Sequence, residues 1–170
     1  MATTFTKIAS VTVGSGGSAT MSFTSIPSTY TDLIIKTSIR TTRNTGDASS
    51  ISITLNGSTS SRSSRPLYGN GSSAFSYTDT ILEGGFAAQN TGTTASVFSS
   101  HDYYLPNYTG STNKSISIDS VHENNATTAY SLLNAALWSN TAVVTSITLE
   151  CLTFNFAEYS TATLYGIKNS

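Results

Sequence analysis

Apolar residues alternate with serine and threonine at a spacing of two along much of this chain. Ile51-Ser52-Ile53-Thr54-Leu55 is the clearest run, and it ends in Asn56-Gly57. Ser115-Ile116-Ser117-Ile118-Asp119-Ser120-Val121 and Val144-Thr145-Ser146-Ile147-Thr148-Leu149 repeat the pattern. Successive side chains of a strand point to opposite faces, so a period of two gives each face its own chemistry. One face is apolar and needs a core. The other carries hydroxyls and meets water or a polar partner. Serine and threonine are roughly a third of all residues, so this skin is uncharged but rich in hydrogen-bonding groups.

The 170 residues suit one domain with a core of its own. Charged residues are 10 % of the chain, well under the usual share of about 25 %. Disordered chains of low hydrophobicity lean on charge or proline, and this one has three prolines and a net charge of −1. Its seven Phe, nine Tyr and one Trp argue for packing. Nucleic acid is excluded as a partner, because phosphate binding needs clustered Lys and Arg. The eight basic residues are scattered, with only Arg40/Arg43 and Arg62/Arg65 close together. Cys151 is the one cysteine and reads as a buried structural thiol. No charged leader with an apolar run opens the chain, and no apolar run approaches membrane-helix length. The expectation is a soluble protein made in a cytoplasm, without a membrane partner.

The alternating runs predict strands over 5–13, 19–24, 32–40, 50–56, 78–82, 95–105, 114–122, 143–156 and 161–167. The stretch 127–138 fits either a helical face (Tyr130, Leu133, Leu137) or a strand face (Leu133, Ala135, Leu137). Its neighbouring hairpins favour strand. Gly14-Ser15-Gly16-Gly17-Ser18 reads as a hairpin turn and Asn56-Gly57 as another. Residues 41–49 read as a loop, and 58–76 as a long surface loop with short extended pieces. This pattern predicts a single all-β domain, 1–170, with a short N-terminal arm. Its architecture is an antiparallel β-sandwich, jelly roll in preference to an immunoglobulin-like sandwich.

Chemistry is sparse. His101-Asp102 and His122-Glu123 are the only adjacent His-carboxylate pairs, and neighbours on a strand face opposite ways. A metal site would need His101, His122 and a carboxylate such as Asp119 to converge, and the spacing matches no ligand pattern. No serine sits in a Gly-x-Ser-x-Gly elbow, and no phosphate loop or dinucleotide fingerprint occurs. Asn-x-Ser/Thr sequons at Asn56, Asn70, Asn107, Asn113 and Asn125 are no more than this composition gives by chance. We therefore expect no enzyme, no cofactor, no metal and no catalytic residue. Tyr103, Tyr104 and Tyr108 cluster around Pro106, either as a plug closing the sandwich or as a contact patch.

Three phrases carry a family resemblance: Phe23-Thr24-Ser25-Ile26-Pro27-Ser28-Thr29-Tyr30-Thr31-Asp32-Leu33, Asn113-Lys114-Ser115-Ile116-Ser117-Ile118-Asp119-Ser120, and Tyr159-Ser160-Thr161-Ala162-Thr163-Leu164-Tyr165-Gly166-Ile167-Lys168. With these, the chain resembles small virion proteins of tailed phages, notably those infecting marine bacteria and cyanobacteria. The resemblance implies a β-rich protein on the outside of the particle and supplies no site residues. It implies a capsid decoration, or cement, protein on the outer capsid surface. The partners would be the major capsid protein and two further copies of itself in a homotrimer. The alternative is a tail-fibre or receptor-binding module that recognises host surface glycan. The irregular segments are the expected contacts, which puts Thr3, Phe5, Arg62, Arg65, Tyr68, Tyr103, Tyr104 and Tyr108 at the interface.

Overall fold

The structure, a computed structural model, describes residues 4–46, 48–87, 94–123 and 129–168. Among these residues the chain forms strands, turns and loops, with no helix. In chain order the strands are β1 (Phe5–Thr12), β2 (Thr20–Phe23), β3 (Asp32–Ile39), β4 (Ser49–Leu55), β5 (Arg62–Gly69) and β6 (Ala74–Ser76). They continue as β7 (Glu83–Ala87), β8 (Ser99–Leu105), β9 (Lys114–His122), β10 (Tyr130–Trp138), β11 (Ile147–Cys151) and β12 (Thr161–Ile167). All pairings are antiparallel.

Two sheets form, in the orders β1-β12-β3-β8-β9-β10-β5-β6 and β2-β11-β4-β7. Eight of these strands pair as one long hairpin would: β1 with β12, β2 with β11, β3 with β8, β4 with β7. Rolling that hairpin so that β12 also meets β3 and β11 also meets β4 gives a jelly roll. The expected jelly roll is therefore the fold, and the immunoglobulin-like order is not. Two insertions add to it. β5 and β6 lie between β4 and β7 in sequence, and β9 and β10 between β8 and β11. Together they extend the larger sheet beyond β8 as a four-stranded wing.

The core lies between the sheets, where the alternation directs it. Leu33, Ile35 and Ile39 of β3 face Ile51, Ile53 and Leu55 of β4 and Ile147 and Leu149 of β11, each at most 2 % exposed. Burying one such side chain stabilises the fold by about 1.5–3 kcal/mol. Cys151 joins them as a buried free thiol, as expected.

Four expectations are corrected. Residues 58–76 are not a surface loop, since they contain β5 and β6. The strand placed at 78–82 lies instead at Glu83–Ala87. Gly14-Ser15-Gly16-Gly17-Ser18 is not a hairpin turn: β1 and β2 belong to different sheets, and these glycines make the arch between them. Gly17 has φ +76, and a β-carbon there would stand 2.6 Å from the Phe156 carbonyl oxygen. Finally, 127–138 is a strand from Tyr130, but Leu133 and Ala135 point outward while Leu132, Asn134, Ala136 and Trp138 point in.

Candidate functional site

The outer face of the wing is the most unusual surface. Antiparallel register fixes a grid of outward residues across β5, β10 and β9. Leu67, Leu133 and Asp119 form one row; Arg65, Ala135 and Ser117 the next; Gly69, Ser131 and Val121 the third. Leu67 is 53 % exposed, Leu133 58 % and Val121 47 %. Single exposed apolar residues are ordinary on protein surfaces, but two leucines directly paired across strands with a valine diagonal to them form a patch. Shallow grooves of about 410 and 450 Å³ flank Leu133, one toward Ile116 and Ala135, the other toward Val121 and Gly69. The row containing Leu133 continues through Asp119 and Asp102 to Lys36, which forms an ion pair with Asp102. Charge therefore borders the patch on one side and Arg65 on the other.

The inner face of the wing is polar where it meets β7. The Tyr103 hydroxyl donates to the Gly84 carbonyl (2.7 Å), and Asn134 Nδ2 donates to the Glu83 carbonyl (2.7 Å). His101 Nδ1 lies 3.0 Å from the Gly84 carbonyl, and its Nε2 lies 3.1 Å from Ser99 Oγ. Burial pushes the Glu83 carboxyl up to about 7; neighbouring Asp79 adds to the rise, while the Gly85 amide and Tyr77 hydroxyl oppose it. Burial likewise drives the His101 imidazole down to about 4, so His101 is neutral across the physiological range. Gly85 lets the β7 backbone come this close: its φ is +108, and a β-carbon would meet Ser120 at 2.6 Å.

The anticipated contact residues divide between surface and core. Thr3 lies outside the described residues. Phe5 is 52 % exposed, but it opens β1 opposite Ile167 and is part of the sheet, not a free arm. Arg65 stands on the wing's outer face, and Arg62 sits at the start of the same strand opposite Trp138. Tyr68 is half-buried on the inner side, stacked on Phe75 at 5.0 Å and edge-on to Phe86 at 5.1 Å. Tyr103 and Tyr108 are 1 % and 0 % exposed, so both are core residues and unavailable to a partner. Of that cluster only Tyr104 reaches the surface, with its hydroxyl donating to Asp32 at 2.9 Å. A glycan platform built on Tyr103 and Tyr104 together is thereby excluded.

His101 and His122 face inward while Asp119 faces outward, so those three do not converge. No cluster of three or more His, Cys, Asp or Glu able to hold a metal occurs among the described residues. No described helix is long and apolar enough to cross a membrane. Leu67, Leu133 and Val121 were not anticipated as contact residues, since alternation assigns an apolar residue to the core. No protein family, curated protein or solved structure matches this chain.

Proposed function

We propose that this protein is a structural component of a tailed-phage virion, a cement protein that binds the outer capsid surface and bridges major capsid subunits as a homotrimer. The observation that carries the reading is the paired Leu67–Leu133 patch, displayed on a wing added to a complete jelly roll. Covering the exposed half of Leu67, Leu133 and Val121 would gain about 1 kcal/mol each. That is modest for one contact. Many copies on one lattice multiply it, and a bound copy stabilises the shell by mass action. The hydroxyl-rich remainder of the outer face supplies hydrogen bonds at the rim.

The test is attachment to capsids that lack this protein, with copies per particle counted by quantitative mass spectrometry. The reading predicts one copy, or one third of a copy, per major capsid subunit, and loss of attachment for Leu133→Asp. A few dozen copies per particle would move the protein to the tail. Full attachment of Leu133→Asp would remove the wing face from the interface.

A further inference from the structure

A second surface lies at one end of the roll, on loops that the docking reading does not use. Arg40 follows β3, residues 94–98 precede β8, and Ala157, Glu158 and Tyr159 precede β12. Arg40, Ala95, Ser96, Phe98 and residues 157–159 line a shallow, open cleft of about 370 Å³. Tyr159 is 70 % exposed, the most exposed of the large hydrophobic side chains described.

Its backbone is held in an unfavourable conformation. Tyr159 has φ +69, and Ser96 on the same cleft has φ +62. Left-handed φ is uncommon for any residue with a β-carbon and rarest for bulky ones. Such residues persist only where the surroundings over-determine them, and they concentrate at ligand-binding sites. Here the surroundings are explicit. The Tyr159 amide donates to the Val13 carbonyl (3.0 Å), and the Val13 amide donates to the Ser160 carbonyl (2.8 Å). The Ala157 amide donates to the Arg40 carbonyl (2.7 Å). The buried Ser160 hydroxyl accepts from the Arg40 amide (3.1 Å) and donates to the Arg40 carbonyl (2.9 Å). Arg40 Nη1 in turn donates to the carbonyls of Val97 (2.8 Å) and Thr94 (3.2 Å), which fixes the opposite rim.

The result is a rigid frame that displays an aromatic ring to solvent beside a carboxylate, with nothing in the core gained from the ring. We infer that this cleft binds a neutral sugar, with one pyranose face stacked on Tyr159. The axial C–H groups of a pyranose form an apolar face that suits an aromatic ring. The Glu158 carboxylate can only accept hydrogen bonds, which suits sugar hydroxyls and repels uronic or sialic acids. Arg40 Nη1 is turned to the Val97 and Thr94 carbonyls of the rim, so that nitrogen braces the loop and is not offered to a ligand.

Saturation-transfer NMR on the full chain tests this, with glucose, galactose, mannose, N-acetylglucosamine and N-acetylgalactosamine as probes and glucuronic acid as the charged control. The expected result is saturation of ring C–H protons on at least one neutral sugar and weaker transfer to glucuronic acid. Tyr159→Gly should weaken that binding about tenfold or more, and Tyr159→Phe should keep it. Glycine accepts positive φ, so Tyr159→Gly should melt no lower than the parent chain, which separates lost binding from lost folding. No transfer to any neutral sugar, or full binding by Tyr159→Gly, would overturn the inference. Equal transfer to glucuronic acid would overturn the assignment to neutral sugars. Loss of capsid attachment by Tyr159→Gly without sugar binding would make the cleft a protein contact and overturn it as well.

Discussion

Glu83 and His101 occupy one polar layer between β7 and the wing, and burial moves them in opposite directions. The Glu83 carboxyl rises from 4.5 to about 7, and the His101 imidazole falls from 6.5 to about 4. Between pH 4.5 and 7 the folded chain keeps a Glu83 proton that the unfolded chain has released, so stability falls as pH rises. Between pH 4 and 6.5 the unfolded chain holds a His101 proton that the folded chain refuses, so stability rises with pH. Each shift is worth about 3 kcal/mol at about 1.4 kcal/mol per unit. Over their common window the two slopes cancel. From pH 5 to pH 8 the parent chain should lose only about 1 kcal/mol from this pair. Glu83→Gln removes the falling limb, and that variant should gain about 2 kcal/mol over the same interval. His101→Gln removes the rising limb and should lose about 3 kcal/mol. Urea unfolding at the two pH values, analysed with a common m-value, reads all three. The comparison is of slopes, so a constant packing cost in either variant drops out. Asp79 and Tyr77 face Glu83, and His122 and Asp102 act on His101. None of them is altered in these variants. If Glu83→Gln and His101→Gln both keep the parent's pH slope, the two groups are not buried in the protonation states argued here.

Leu67→Asp should change stability by no more than about 0.5 kcal/mol in urea unfolding, and Leu133→Asp, which faces Asp119 across the ladder, should cost about 1 kcal/mol, while each abolishes capsid attachment. Attachment through an apolar patch and hydroxyls should vary less than about threefold between low and high salt in a sedimentation assay, because salt screens ion pairs far more than such contacts. Asn56 joins the end of β4 to the irregular segment leading into β11: its Nδ2 donates to the Val143 carbonyl (2.8 Å), and its Oδ1 accepts from the amides of Thr145 (2.8 Å) and Ser146 (3.1 Å). Asn56→Ala should therefore cost about 2–3 kcal/mol, and Asn56→Asp, which keeps the oxygen that accepts from both amides, about 1 kcal/mol, by thermal or urea denaturation.

Where one face was apolar and the other polar, the sequence sufficed. The strands placed at 114–122 and 161–167 coincide with β9 and β12, because register is unambiguous when a one-residue slip would bury the hydroxyls. β5 was illegible because its hydropathy is inverted. Ser64 and Pro66 face in while Leu67 faces out, and Pro66 and Gly69 read as loop. β7 was hidden by Glu83-Gly84-Gly85, which looks like a turn but pairs with β4 as a strand, while the polar layer receives its carbonyls. The exposed leucines share that origin: β10 has leucine on both faces, and only its pairing with β9 and β5 decides which one meets solvent. Tyr159 gave no local signal, since its φ is imposed by contacts with Val13 and by the clamp between Arg40 and Ser160. Of the anticipated surface residues Phe5, Arg65 and Tyr104 are exposed, while Tyr103 and Tyr108 went to the core as aromatic residues commonly do.

The wing shares the apolar core of the roll through Ile116, Ile118, Ala136 and Trp138, and two hydrogen-bonded contacts add to that packing. The β8–β9 ladder continues the larger sheet into it, and the β7 carbonyls are gripped from its inner face by Asn134 and from β8 by Tyr103. Hydrogen bonds are directional, so this junction fixes the angle and register of β9, β10 and β5 in a way that sliding apolar contacts would not. The same junction buries Glu83 and His101 at a cost that leucine or valine would avoid. On the far side of the same strands, Leu67 and Leu133 stand in water, where serine would serve the fold equally well. The first cost falls on β7 and β8 beneath the wing and the second on the wing's outer face, and local rules tend to be broken together where a surface has work beyond folding. Under the proposed docking role they have one explanation: the outer face must hold a defined shape, and the polar layer beneath it holds that shape. The nearest part of the patch, Val121, is three strands from Thr161 at the start of β12, through Ser100 and Ser38, or about 14 Å at the usual strand spacing. The wing patch and the Tyr159 cleft thus share no lining residue, and β8 and β3 lie between them.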